Sequence, residues 1–179
     1  MHIFTVYYEL RVCVISEDTY GHEFFKELFK RLKDTYSINN LIFHNSGRSY
    51  TTYRGCHYDK LYNIAKILCS ASACDVIIIT KDADGRDIAD VKNEVRQYIP
   101  RDCTIIKILV FNYEIEDWII YSKLGHLDPN PSKYLKDHLR YEKFQLPKYV
   151  KELDFNKLCN LESFRDFIKY LNIENLICK

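Results

Sequence analysis

The chain has 179 residues, of which 47% are hydrophobic and 15% aromatic, and this is enough apolar material for one compact domain. Its 26 basic and 25 acidic residues give a net charge of +1, so the whole chain lacks the positive charge typical of nucleic-acid-binding proteins. No apolar window is long enough to cross a bilayer, and the N-terminus does not have the order of a signal peptide. We therefore expect a cytoplasmic protein without membrane association.

Strands and helices are predicted to alternate along the first two thirds of the sequence. Apolar runs indicate strands at LRVCVIS, LIFH, VIIIT and CTIIKILVF, and IFTVYY is an optional extension of the first. Helical spacing of apolar residues predicts helices over 22–33, 58–71, 88–99 and 113–125. This βαβαβαβα pattern predicts an α/β fold with three layers, a mostly parallel four-stranded sheet flanked by helices.

The character of the sequence changes after Gly125, where DPNPS indicates a loop and the following segments a helical tail. No linker is long enough to separate a second domain. We predict an α/β domain over 1–125 and a helical C-terminal extension over 126–179, packed on the same domain. Four apolar residues of the extension form a stripe that is expected to face the core: Phe164, Phe167, Ile168 and Leu171.

Seven cysteines are scattered along the chain with no CxxC pair, which argues against both a zinc ribbon and a disulfide framework. Most of them are expected to be small buried apolar residues. The spacing of Cys69 and Cys74 does not suit the common structural zinc sites. Intracellular disulfides would be expected only if the source were a hyperthermophile.

Acidic residues follow three of the predicted strands. Glu17 follows the first strand, Asp82 and Asp84 the third, and Glu114 and Glu116 the fourth. The carboxyl ends of parallel strands lie along one edge of a sheet, where ligands bind, so these carboxylates are expected to meet. Oxygen ligands of this kind bind Mg²⁺ or Mn²⁺, which can activate a water or stabilise a leaving oxygen. The set therefore predicts a divalent metal site.

Helix capping and simple solvation are the alternatives for each acid taken alone. Asp18, Thr19 and Asp87 stand where side chains can accept hydrogen bonds from free helix amides. Only the convergence of three separate stretches favours a metal.

Basic residues near these acids are candidate contacts for nucleic acid. Lys81 and Arg86 flank the DAD stretch, while Arg48 and Arg54 lie with several tyrosines in the loop after the second strand. Basic residues between aromatic ones suit single-stranded nucleic acid, although a solvated loop is the alternative. Trp118, by contrast, is surrounded by apolar positions and is expected in the core.

The stretch DADGRD is also similar to three unrelated acidic motifs. The phosphatase motif of the haloacid dehalogenase type has Thr or Val where this chain has Arg86. In an EF-hand loop, Gly85 would stand too early and Asn93 would replace the final glutamate. A receiver domain would use Asp82 as its phosphate acceptor, but no counterpart of the signalling lysine is clear.

Three motifs in order resemble Toprim-like proteins. VISEDTYGHEFFKELFKRL resembles their glutamate motif, and VIIITKDADG resembles their strand ending in DxD. The residues from Glu114 to Trp118 resemble the ExEAW motif of small standalone members of the DUF4276 type, and KYVKELDFNKLCNLESFRDFIKYL is similar to the tail of that family. The chain departs from the pattern at Asp18, where glycine is usual, and at Asp117, where alanine is usual.

This resemblance implies a Toprim fold with Glu17 as general acid or base and with Asp82 and Asp84 as Mg²⁺ ligands. Topoisomerases, primases and nucleases of the overcoming-lysogenization-defect type share these features, and all of them rearrange phosphodiesters. The resemblance thus implies a metal-dependent nuclease or related enzyme, with a separately encoded ATPase as a candidate partner. The alternative is a non-catalytic interaction or regulatory module in a defence or repair system.

Overall fold

A single sheet forms the centre of the protein. The computed structural model describes residues 9–44, 51–53 and 57–178. Its strands are β1 (Leu10–Ile15), β2 (Leu41–Phe43), β3 (Val76–Asp82) and β4 (Ile106–Phe111). They are ordered β2-β1-β3-β4, and every neighbouring pair is parallel. The predicted α/β fold with a four-stranded sheet is confirmed, while the IFTVYY stretch lies outside the described residues.

Helices follow the strands and continue into the C-terminal part of the chain. Their bounds are α1 (Thr19–Tyr36), α2 (Tyr58–Ser70), α3 (Ile88–Arg96), α4 (Asp117–Leu124), α5 (Pro131–Leu139), a 3₁₀ helix (Lys143–Glu152), α6 (Phe155–Leu158), α7 (Glu162–Tyr170) and α8 (Glu174–Ile177). Helix α1 begins before the predicted His22 because Asp18 caps it, accepting a hydrogen bond from the Gly21 amide at 2.6 Å. Helix α3 ends at Arg96, before the predicted Ile99, where the ring of Pro100 disfavours helical backbone.

Both faces of the sheet are buried, which explains the continuous apolar strands. Val12 and Val14 of β1 point into a cluster formed with α1, α4 and the C-terminal helices. Cys13 and Ile15 point to the other face, into a cluster with α2 and α3. Side chains alternate along a strand, so a strand covered on both sides needs apolar residues at every position.

Trp118 joins the C-terminal helices to the α/β part. It is completely buried, as predicted, and its Nε1 donates a hydrogen bond to Ser163 Oγ at 2.9 Å. Its ring packs edge-on against Phe164 of α7 and Phe25 of α1. The predicted apolar stripe of α7 is buried in the same cluster. The C-terminal helices therefore share one core with the sheet.

Six of the seven cysteines form disulfides, and the sequence argument against a disulfide framework is wrong in this structure. The pairs are Cys13–Cys74, Cys69–Cys103 and Cys159–Cys178. The partners stand 61, 34 and 19 residues apart, whereas their Cα atoms lie 5.9, 6.0 and 5.5 Å apart, within the range of a disulfide. Only the fold brings them together, so spacing along the chain could not reveal the pairing.

Among the described residues, none of the helices combines the length and the apolar character needed to cross a membrane.

Candidate functional site

Carboxylates from three strands meet at the C-terminal edge of the sheet. Asp82 is the last residue of β3, and Glu17 lies just beyond β1. Burial and the negative charges of Glu17, Glu116 and Glu114 raise the pKa of Asp82, so Asp82 lies within electrostatic reach of these three carboxylates. We call this group, at the ends of β1, β3 and β4, the acidic edge.

Glu17 is held by two donors from β3. Its Oε2 accepts a hydrogen bond from the backbone amide of Asp82 at 2.9 Å, and its Oε1 accepts one from Lys81 Nζ. The side chain of Lys81 is buried. Lys81, a candidate contact for nucleic acid in the sequence analysis, is thus engaged as the internal partner of Glu17.

Asp82 has a different environment from Glu17. No donor among the described residues forms a hydrogen bond with its carboxylate, which is partly exposed. Burial at the edge raises the pKa of Asp82 well above its ordinary value, and the charge of Glu17 raises this pKa further. The charge of Lys143 offsets part of this rise, but no cation among the described residues forms an ion pair with Asp82.

Asp84 lies in the turn that follows β3 and is exposed. It adopts left-handed backbone with φ +51°, which aspartate tolerates better than most residues, and Gly85 follows with φ +78°. The Asp84 amide donates to the carbonyl of Tyr113 at 3.1 Å, which ties the turn to the segment after β4. Within the described ranges, no group of three or more His, Cys, Asp or Glu residues is arranged as a ready metal site.

Glu116 is completely buried and is bound by two residues of the C-terminal part. Its Oε1 accepts hydrogen bonds from Tyr141 Oη at 2.7 Å and from Lys143 Nζ at 2.8 Å, and its Oε2 lies 3.0 Å from the same Nζ. Burial and the Glu116 charge raise the pKa of Tyr141. Burial alone would lower the pKa of Lys143, but Glu116, Asp18 and Asp82 together outweigh it and this pKa is raised.

Tyr141 and Lys143 were missed in the sequence analysis. They stand in the segment YEK, which carries no recognisable motif, and they reach Glu116 only because the 3₁₀ helix packs against α1. A lone lysine in a helical tail gives no local signal of such a partner.

Glu114 and the cap residues have structural partners. Glu114 Oε2 accepts hydrogen bonds from the backbone amide of Ser132, at 3.1 Å, and from its hydroxyl, so it anchors the first turn of α5. Asp87 caps α3 by accepting from the Asp90 amide at 3.0 Å. The capping alternative is confirmed for Asp18 and Asp87, whereas Thr19 is the first residue of α1.

Asp117 is a buried acid beside the edge. Its Oδ2 accepts a hydrogen bond from the Tyr113 amide at 2.9 Å, but its Oδ1 has no hydrogen-bond partner in the described part of the chain. Burial raises the pKa of Asp117 to about 7. Ionisation of Asp117 is therefore unfavourable at this buried position.

The remaining basic candidates are three arginines. Arg86 is about half exposed and forms an ion pair with Glu94 at 2.8 Å. Arg48 and Arg54 lie outside the described residues.

The molecule is thus an α/β protein with a parallel sheet and an acidic C-terminal edge. Comparison of the chain with protein-family models, with curated proteins and with solved structures found no match. The resemblance to Toprim-like proteins stays a prediction, which rests on the three motifs.

Proposed function

We propose that the protein is a divalent-metal-dependent phosphodiester-processing enzyme, nuclease-like, that acts on nucleic acid at the acidic edge. The observation that supports this most is Asp82, which has no hydrogen-bond donor among the described residues and a pKa raised by burial and by Glu17. Parallel sheets bind ligands at this edge. A hard cation is a partner that suits the oxygens of such a carboxylate.

The residues at the edge fit Mg²⁺ or Mn²⁺ in their donor chemistry. Mg²⁺ is usually held by one or two carboxylates together with waters and substrate phosphates, and Asp82 with Glu17 or Asp84 could supply these. Glu116 could serve as a further metal ligand only if its ion pair with Lys143 were broken. When bound, such a metal supplies positive charge for the reacting phosphoryl group.

Side chains of the protein would position the reaction around this charge. Glu17 is the candidate general acid or base, and its two hydrogen bonds to β3 fix its orientation. Arg86 offers a partly exposed cation for a phosphate of the substrate, provided that it exchanges its ion pair with Glu94. We further propose, from the sequence alone, a separately encoded ATPase as a partner and a cytoplasmic location. The three disulfides count against that location, because disulfides are rare in cytosolic proteins outside hyperthermophiles.

Metal binding at Asp82 is expected to appear as a stability shift. A cation that binds only the folded state at 100 times its dissociation constant stabilises it by about 2.7 kcal/mol. Millimolar Mn²⁺ or Mg²⁺ should raise the unfolding temperature of the parent and of Asp137→Asn, an exposed control on α5, but not of Asp82→Asn.

A folding defect would not explain why metal fails to raise the unfolding temperature of Asp82→Asn. Because burial disfavours the charged form of Asp82, the Asp82→Asn variant is expected to be at least as stable as the parent without metal. An equal metal shift in the parent and in Asp82→Asn would place the cation elsewhere.

Cleavage of nucleic acid tests the catalytic assignment directly. Glu17→Gln, Asp82→Asn and Asp84→Asn should each abolish Mn²⁺-dependent cutting of DNA or RNA, because each removes one carboxylate from the edge. Circular dichroism should show unchanged secondary structure in all three variants. If these variants cleave nucleic acid as well as the parent does, the proposed catalytic site is wrong.

One observation favours the alternative of a non-catalytic module. Two of the edge carboxylates already have internal counter-ions, since Lys81 pairs with Glu17 and Lys143 with Glu116. An edge neutralised in this way can be stable without metal and can serve as a surface for a partner protein. Under this alternative, neither a metal shift nor cleavage is expected.

A further inference from the structure

Lys143 brings a positive charge into the acidic edge from the C-terminal part of the chain. Its Nζ lies 2.8 and 3.0 Å from the two carboxylate oxygens of Glu116 and 3.8 Å from Asp18 Oδ2. It also interacts electrostatically with Asp82. The ammonium therefore lies among carboxylates that follow β1, β3 and β4, where the proposed metal would bind.

The two members of this ion pair differ in their access to water. The Glu116 side chain is 0% exposed, whereas the Lys143 side chain is 36% exposed. A lysine has a flexible four-carbon stem and a strongly hydrated head, so Lys143 can move its charge into solvent while Glu116 stays in place. Lys81 is different, because its side chain is only 9% exposed and it lies against Glu17.

We propose that Lys143 is the resident counter-ion of the acidic edge and that a divalent cation at Asp82 competes with it. This inference rests on the proposed function. A divalent cation and an ammonium repel each other at short range, and the negative charge of Asp82 acts on Lys143 as it would on the metal. Binding of the metal therefore displaces the ammonium from Glu116.

Displacement of Lys143 would change the charge that the acidic edge presents to a substrate. Without metal, Lys143 neutralises the carboxylates. With metal, the ammonium is free at the mouth of the site, where it can bind a phosphate group of the nucleic acid. The C-terminal extension thus contributes a residue that couples metal binding to binding of an anionic substrate.

The test measures Mn²⁺ affinity, by calorimetric titration and by electron paramagnetic resonance of free Mn²⁺, and needs no activity. Lys143→Gln removes the charge and keeps a donor for Glu116, so it is expected to bind Mn²⁺ at least about tenfold more tightly than the parent. Lys143→Arg keeps the charge and should remain within about threefold of the parent. The matched control is Lys123→Gln, because Lys123 is 30% exposed and forms an ion pair at 2.7 Å with Glu152, which is outside the acidic edge and more exposed than Glu116.

The outcomes separate this inference from the proposed function. Tighter binding in Lys143→Gln alone supports the inference, even where the parent binds too weakly to measure. If the parent binds Mn²⁺ and Lys143→Gln binds it equally or less tightly, the inference is refuted while the metal site stands. Absence of binding in every variant refutes both.

A second measurement on the unaltered protein covers the case in which Lys143→Gln does not fold. In protein with ¹³C-labelled lysine, addition of Mg²⁺ should shift the Cε resonance of Lys143, which Lys143→Arg identifies by its absence. A bound Mg²⁺ that leaves this resonance unchanged would refute displacement.

Discussion

Removing the Cys13–Cys74 disulfide, by Cys13→Ala together with Cys74→Ala, is expected to lower the free energy of unfolding by about 4 kcal/mol. The two residues are 61 positions apart, and the bond restricts the unfolded chain between them. Chain-entropy arguments assign that amount to a loop of this length. Denaturant unfolding followed by circular dichroism measures the change, and reduction of the unaltered protein should lower stability in the same direction.

The Cys159–Cys178 disulfide offers an internal comparison. Its partners are only 19 residues apart, so Cys159→Ala with Cys178→Ala is expected to cost about 3 kcal/mol, less than the longer loop. Alkylation of the denatured, unreduced protein provides the check on the bonds themselves. Six of the seven cysteines should stay unmodified, and reaction of all seven would show that the disulfides do not form.

Asp117→Asn is expected to remove a large pH dependence of stability. The pKa of Asp117 is raised from 3.8 to about 7 by burial, so between these values the folded state binds more protons than the unfolded state. Stability from this group is therefore lost as the pH rises from about 4 to about 7. Since one pKa unit corresponds to about 1.4 kcal/mol, the loss is on the order of 4 kcal/mol.

Unfolding in denaturant at pH 4.5 and pH 7.5 measures this effect. The amide of asparagine can still accept the hydrogen bond from Tyr113 and does not ionise, so Asp117→Asn should gain stability relative to the parent at the higher pH. Asp59→Asn, on the exposed side of α2, is the control. The difference in the free energy of unfolding between pH 4.5 and pH 7.5 should change much less in this variant than in Asp117→Asn. If the free energies of unfolding of the parent and of Asp117→Asn differ by the same amount at both pH values, the raised pKa of Asp117 is contradicted.

Local pattern was sufficient to predict the strands, the main helices and the edge at which the acids lie. The first four residues of β3, from Val76 to Ile79, are all apolar because both faces of the sheet are covered. The amphipathic spacing of α1 reflects the single face that it buries. Because parallel strands share one direction, the position of Asp82 after β3 and of Glu17 after β1 already placed them together.

The partners of those acids were decided only by the tertiary structure. Lys143 reaches Glu116 across 27 positions, and Cys13 reaches Cys74 across 61, so neither contact has a signal in the residues beside it. The periodicity of apolar residues and the capping of helices depend on residues that are close along the chain, so both can be predicted from the sequence. Ion pairs and disulfides between distant segments depend on how the C-terminal helices and the sheet pack, and only the folded chain determines that packing.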